Sequence, residues 1–62
     1  MDDGSEFQVG DIVMSIGYYG RFEIEIAGQQ YCRLRNLRNN SRLTLRRRYM
    51  AKQWVRVDGR DD

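Results

Sequence analysis

Three stretches of the chain alternate apolar and polar residues, and no proline occurs anywhere. In RFEIEI (21–26), Phe22, Ile24 and Ile26 fall on one side, and Arg21, Glu23 and Glu25 on the other. In QYCRLRNL (30–37), Cys32 and Leu34 alternate with Arg33 and Arg35; in RLTLRRRY (42–49), Leu43 and Leu45 alternate with Arg42, Thr44 and Arg46. A period of two is that of a strand with one buried face, and it excludes a helix as the default for these segments. DIVMSI (11–16) is short and rich in β-branched residues, and WVRV (54–57) closes the chain as a further strand. Glycines punctuate the segments. AGQ turns at Gly28, and Asn39-Asn40 is a pair that tolerates positive φ and suits a tight hairpin.

Folding at Gly28 sets Ile24 opposite Cys32, Phe22 opposite Leu34 and Glu23 opposite Arg33. Folding at Asn39-Asn40 sets Leu34 opposite Leu45 and Arg35 opposite Thr44. Both registers match apolar to apolar, and a slip of one residue would turn every side chain to the wrong face. The expected core is Ile12, Met14, Phe22, Ile24, Ile26, Cys32, Leu34, Leu43, Leu45 and Val55. The fold class is all-β: five antiparallel strands that bury one face by curling into a small barrel, with MAKQ (50–53) as one short 3-10 turn before the last strand. The competing reading of NSRLTLRRRYMAKQW (40–54) is a helix, since Arg, Leu, Met, Ala, Lys and Gln favour one. Leu43 and Leu45, spaced by two, do not fit it.

Strand, loop, three-strand meander, helical turn and last strand is also the order of SH3-like small barrels. VGDIV (9–13) resembles the opening of many of them, and VMSIGYYGRFEI (13–24) looks like a KOW-type element, although Gly17 and Gly20 stand one residue closer than that pattern usually has. LRRRYMAKQWVRV (45–57) resembles the C-terminal barrel of retroviral and retrotransposon integrases, which carries basic residues before its closing strand. The resemblance spans most of 8–57. It implies an SH3-like barrel and leaves KOW, Tudor and integrase-type members, whose partners differ, all open.

At 62 residues the chain holds one domain. A domain of this size buries only about 60% of the surface its unfolded chain exposes, so its core is thin. MDDGSEF (1–7) is acidic and reads as a cloning-derived or disordered tail, and 58–62 as a second acidic tail, leaving the barrel over 8–57. The modest net charge of +2 hides an asymmetry: 7–57 carries ten Lys and Arg against three acids, a net +7. Such a basic middle between acidic ends points to a polyanionic partner. Nothing in the sequence reads as a signal peptide or a membrane span. The single cysteine, Cys32, excludes an internal disulfide and points to a reducing, intracellular compartment, nucleus or cytoplasm.

The sequence offers little chemistry. With no histidine and one cysteine, the usual zinc ligand sets cannot form and no side chain titrates near neutrality unperturbed. Cys32 falls on the inward face as a small core residue. Glu23 and Glu25 read as cross-strand partners of arginine rather than as a catalytic pair, and Gly17 and Gly20 lack the residues of a phosphate loop. The expectation is a chain with no catalytic residues, no cofactor, no metal and no small-molecule substrate.

Arginine supplies ten of the eleven basic residues. A solubilising surface mixes signs and uses lysine and glutamate, whereas the planar guanidinium binds phosphate bidentately and stacks on bases. The candidate contacts are therefore Arg33, Arg35, Arg38, Arg42, Arg46, Arg47, Arg48 and Lys52, on or beside the outward face of the meander. Tyr18 and Tyr19, between two glycines at a loop tip, are candidates for stacking on a base or lining a cage for a methylated cation. The expected function is a non-catalytic nucleic-acid-binding module, for DNA or RNA, within a larger protein. The alternative is a Tudor-like or other protein-interaction barrel that takes a methylated or acidic peptide.

Overall fold

The structure, a computed structural model, describes residues 7–57. Five strands and one helix follow the order β1 (Ile12–Ser15), β2 (Tyr18–Ala27), β3 (Tyr31–Asn36), β4 (Arg42–Arg46), α1 (Arg47–Gln53) and β5 (Trp54–Arg56). The strands form one antiparallel sheet in the order β4-β3-β2-β1-β5. The fold is thus mostly β, as the alternation predicts. Among the described residues β4 and β5 stand at the two edges and do not pair with each other, so the sheet is open where a closed barrel was expected.

The faces of the meander follow the alternation, but its partners do not. Ile24 pairs with Leu34, Phe22 with Asn36 and Glu23 with Arg35; Leu34 pairs with Leu43 and Arg35 with Arg42. Each expected register is displaced by two residues. An even displacement keeps the side chains before the bulge on their own faces, so Ile24 still meets Leu34 and Leu34 still meets Leu43, although Phe22 now opposes Asn36. The β2–β3 turn closes through the Gly28 N–H, which donates to the Tyr31 carbonyl at 2.8 Å. The next turn closes through the Asn40 N–H to the Asn36 carbonyl at 2.8 Å, with Asn40 at φ 63°, the positive φ its side chain tolerates.

The core comprises Phe7, Val13, Phe22, Ile24, Cys32, Leu34, Met50 and Trp54, with Ala27, Leu43 and Leu45 packed against it. Four expected core residues lie elsewhere. Met14 and Val55 are exposed and Ile12 is half-buried, while Val13 and Trp54 are buried beside them. The registers Val13↔Phe22 and Ser15↔Trp54 explain the inversion: β1 and β5 carry apolar residues at both parities, and the large indole takes the inward position of β5. Ile26 is turned out by a bulge, because β2 gains one residue on β3 between Ile24 and Ile26, so that Ile26 opposes Arg33 and Ala27 opposes Cys32.

The N-terminal boundary also moves. Phe7, assigned to the tail, is 2% exposed and part of the core. Residues 8–11 lead from it into β1 through a turn in which the Asp11 N–H donates to the Gln8 carbonyl and the Gln8 N–H to the Asp11 carboxylate. The remaining tail expectations, over 1–6 and 58–62, lie outside the described residues.

The single 3-10 turn expected over 50–53 is a seven-residue α-helix that begins at Arg47. Arg, Met, Ala, Lys and Gln are good helix formers, and they extend the turn backwards to the end of β4. Trp54 ends it: its backbone is extended at φ −117° and ψ 143°, while its N–H still donates to the Met50 carbonyl. Met50, fully buried, carries the helix onto the core side of the sheet.

Candidate nucleic-acid interface

The alternation of β2, β3 and β4 turns Glu23, Arg33, Arg35, Arg42, Thr44 and Arg46 away from the core. Glu25, of the same parity as Glu23, lies among them beside the bulge. The two glutamates sit inside the arginine patch rather than at its margin. Arg35 donates to Glu23 at 2.8 Å and to the Asn40 side-chain carbonyl at 3.0 Å, and its Nε lies 3.1 Å from Glu25. Arg42 donates to Glu25 at 2.9 Å, and Arg33 approaches the same carboxylate at 4.0 Å. The hydrogen bond from Arg42 leads in holding the Glu25 carboxyl below its ordinary value, against a smaller desolvation effect. Arg33, Arg35 and Arg42 are therefore shared with two carboxylates, and only one positive charge of the three is left over.

The Arg47 guanidinium is engaged with backbone carbonyls of the fold. Its Nε donates to the Gly28 carbonyl at 2.6 Å and its Nη1 to the Phe7 carbonyl at 2.9 Å. Its own N–H donates to the Gln30 carbonyl at 2.9 Å. Placed at the start of α1, it ties the β2–β3 turn and the N-terminal segment to the helix. A basic run in sequence carries no sign of such a role.

The cations that make no ion pair among the described residues are Arg21, Arg38, Arg46, Arg48 and Lys52. They fall into two groups. Arg46, at the end of β4, sets its guanidinium 5.6 Å from the centre of the Tyr31 ring, and Arg48 and Lys52 follow on α1, four residues apart and so on one side of it. Arg21 and Arg38 mark the other end of β3: the Leu37 N–H donates to the Arg21 carbonyl, and the Arg38 side chain lies over Gly20, whose φ is +87°. Six-residue β3 separates the two groups by roughly 17 Å at about 3.3 Å per residue. Arg21 was not among the expected contacts, although its outward parity in RFEIEI marks it as one.

Tyr18 and Tyr19 are neither at a loop tip nor together. Both belong to β2, which begins immediately after Gly17. Tyr18 packs on Trp54 at 5.3 Å between ring centres and on Phe22 at 5.9 Å, while Phe22 and Trp54 meet edge to face at 5.1 Å. Rings in mutual contact leave no space for a methylated cation between them. Tyr19 is 87% exposed and stays a candidate for stacking, joined by Tyr31 beneath Arg46. Cys32 is buried, and desolvation pushes its thiol up, with Arg47 opposing.

Among the described residues no group of His, Cys, Asp and Glu could hold a metal ion, and no helix is long and apolar enough to cross a membrane. No protein-family model, curated protein or solved structure matches the chain.

Proposed function

We propose that the chain is a non-catalytic nucleic-acid-binding module of the SH3-like small-barrel class, contacting phosphates through arginines and serving within a larger protein. The meander, the helix after it and the return of β5 beside β1 support the class. One observation carries the function. All three acids of residues 7–57 are already engaged, Asp11 with Arg56 at 3.7 Å and Glu23 and Glu25 with Arg33, Arg35 and Arg42. The charge on Arg38, Arg46, Arg48 and Lys52, with Arg21, has no internal counterpart among these residues. Phosphate contacts then supply affinity with little sequence selectivity, and Tyr19 and the Tyr31–Arg46 stack offer flat faces for unstacked bases.

The test is a titration of a labelled oligonucleotide across salt concentrations. With four phosphates contacted, log affinity falls against log salt with a slope of about −3.6 on duplex or about −2.8 on a single strand. Arg46→Ala combined with Arg48→Ala removes two contacts and brings the duplex slope to about −1.8. Unchanged affinity and slope in that variant would show that the arginines only solvate the surface.

A further inference from the structure

The sheet side that carries the paired arginines becomes apolar toward β1 and β5. Met14 and Val55 stand opposite each other in register there. With Ile16, Lys52 and Gln53 they line an open groove of about 760 Å³, a volume in the range of ligand sites. Val55 is 64% exposed, and Ile16, in the turn between β1 and β2, is 102% exposed. These aliphatic side chains are bared together beside a single cation, Lys52.

β5 is also an edge strand. The Val57 N–H donates to the Ile12 carbonyl at 2.7 Å. Backbone groups alternate along an antiparallel ladder, so those of Arg56 turn to the open side. An extended segment laid along β5 finds these groups and the groove within one strand width.

We infer that this groove and the β5 edge dock an extended acidic peptide, which sets an apolar side chain among Met14, Ile16 and Val55 and a carboxylate on Lys52. Charge selects this occupant. Among the described residues no acid lines the groove, Lys52 stands in its wall, and Arg48 precedes Lys52 by one helical turn. A second copy of the chain would bring like charges together at this patch, since a two-fold contact through it sets Lys52 near its own equivalent. A nucleic acid would meet aliphatic side chains where it needs donors. This surface is separate from the phosphate contacts except at Lys52.

The test is selection of a displayed random-peptide library on the full chain, followed by anisotropy titration of the selected peptides with a fluorescent label. The expected winners place Asp or Glu beside an aliphatic or aromatic residue. Ile16→Ser and Val55→Thr each weaken them by about tenfold or more, as removal of a buried aliphatic anchor does. Both side chains are exposed, so the variants keep the amide spectrum of the parent and its oligonucleotide affinity. Lys52→Gln weakens the acidic winners and flattens their salt dependence. The inference is overturned if no peptide is selected, if the winners lack the acidic and apolar pattern, or if they bind Ile16→Ser and Val55→Thr as they bind the parent. It is equally overturned if sedimentation shows the parent chain self-associating through these residues.

Discussion

Arg47→Ala separates a structural arginine from a ligand-binding one. The guanidinium holds the Gly28 and Phe7 carbonyls at 2.6 and 2.9 Å. Hydrogen bonds to a charged donor contribute roughly 1.5–3 kcal/mol each, and two made by one group do not add fully. The site is half-buried, so water reaches the bared carbonyls and the cost falls toward the low end, about 2–3 kcal/mol. A described body of this size has total stability on the order of 3–8 kcal/mol, so the loss is a large share of it. At about 4–8 °C per kcal/mol, the midpoint of thermal unfolding should drop by roughly 10–20 °C. Trp54, the single tryptophan and buried, reports the transition by fluorescence. Arg47→Lys keeps the charge but loses the fork that reaches two carbonyls, and it should recover only part of the loss. Phe7→Ala releases the same segment, so the double variant should lose less than the two single losses together. An Arg47→Ala chain that melts like its parent and binds an oligonucleotide more weakly would refute the reasoning and return Arg47 to the binding surface.

Two further outcomes follow from the same packing. Cys32→Ser buries a hydroxyl with no partner and should cost about 1–3 kcal/mol, measured by urea unfolding, with oligonucleotide affinity unchanged; the parent thiol, buried and pushed up, should resist thiol reagents at neutral pH while the chain is folded. Glu25 is held below its ordinary value of 4.5 in the folded state, so its contribution is present above that value and is lost as pH falls through the lower folded one. An acid titration of stability should therefore be flatter below about pH 4.5 in Glu25→Gln than in the parent, and parallel curves would show that the carboxylate is only a bystander.

Period two fixed which side chains face inward along β3, β4 and the part of β2 before the bulge, because that signal depends on parity alone. It could not fix which residues pair, because any even displacement satisfies it equally. The apparent agreement of two hairpin registers carried less information than it suggested. The missing information lay in turn length: the β2–β3 connection takes residues 28–30, and the register changes again at the bulge before Ile26. Parity failed where both parities are apolar. Ile12, Val13 and Met14 run consecutively, as do Trp54 and Val55, and packing around Phe22 and Trp54 decided between the faces. The sheet stayed legible; the apolar groove, built from the residues that parity misplaced, did not.

The run Arg46-Arg47-Arg48 shows why charge counts alone could not define the interface. Arg46 is the last residue of β4 and keeps the outward parity of Arg42, so it meets Tyr31, its partner across the ladder. Arg47 starts α1, where the backbone leaves the sheet and the side chain swings back over the β2–β3 turn. Arg48 lies about 100° further round the helix, in solvent. Three identical neighbours thus become a stacking cation, an internal clamp and a free charge. The division comes from the strand-to-helix junction between Arg46 and Arg47, and a longer or shorter β4 would deal the roles differently. Of the eight expected contacts, those on β3 and β4 near the bulge are neutralised in proportion to their reach to Glu23 and Glu25, and those beyond that reach keep their charge. On the proposed function, an anionic partner would meet two positive ends of a sheet whose middle is already paired, and variants at the ends should move binding while variants at Arg35 should move stability.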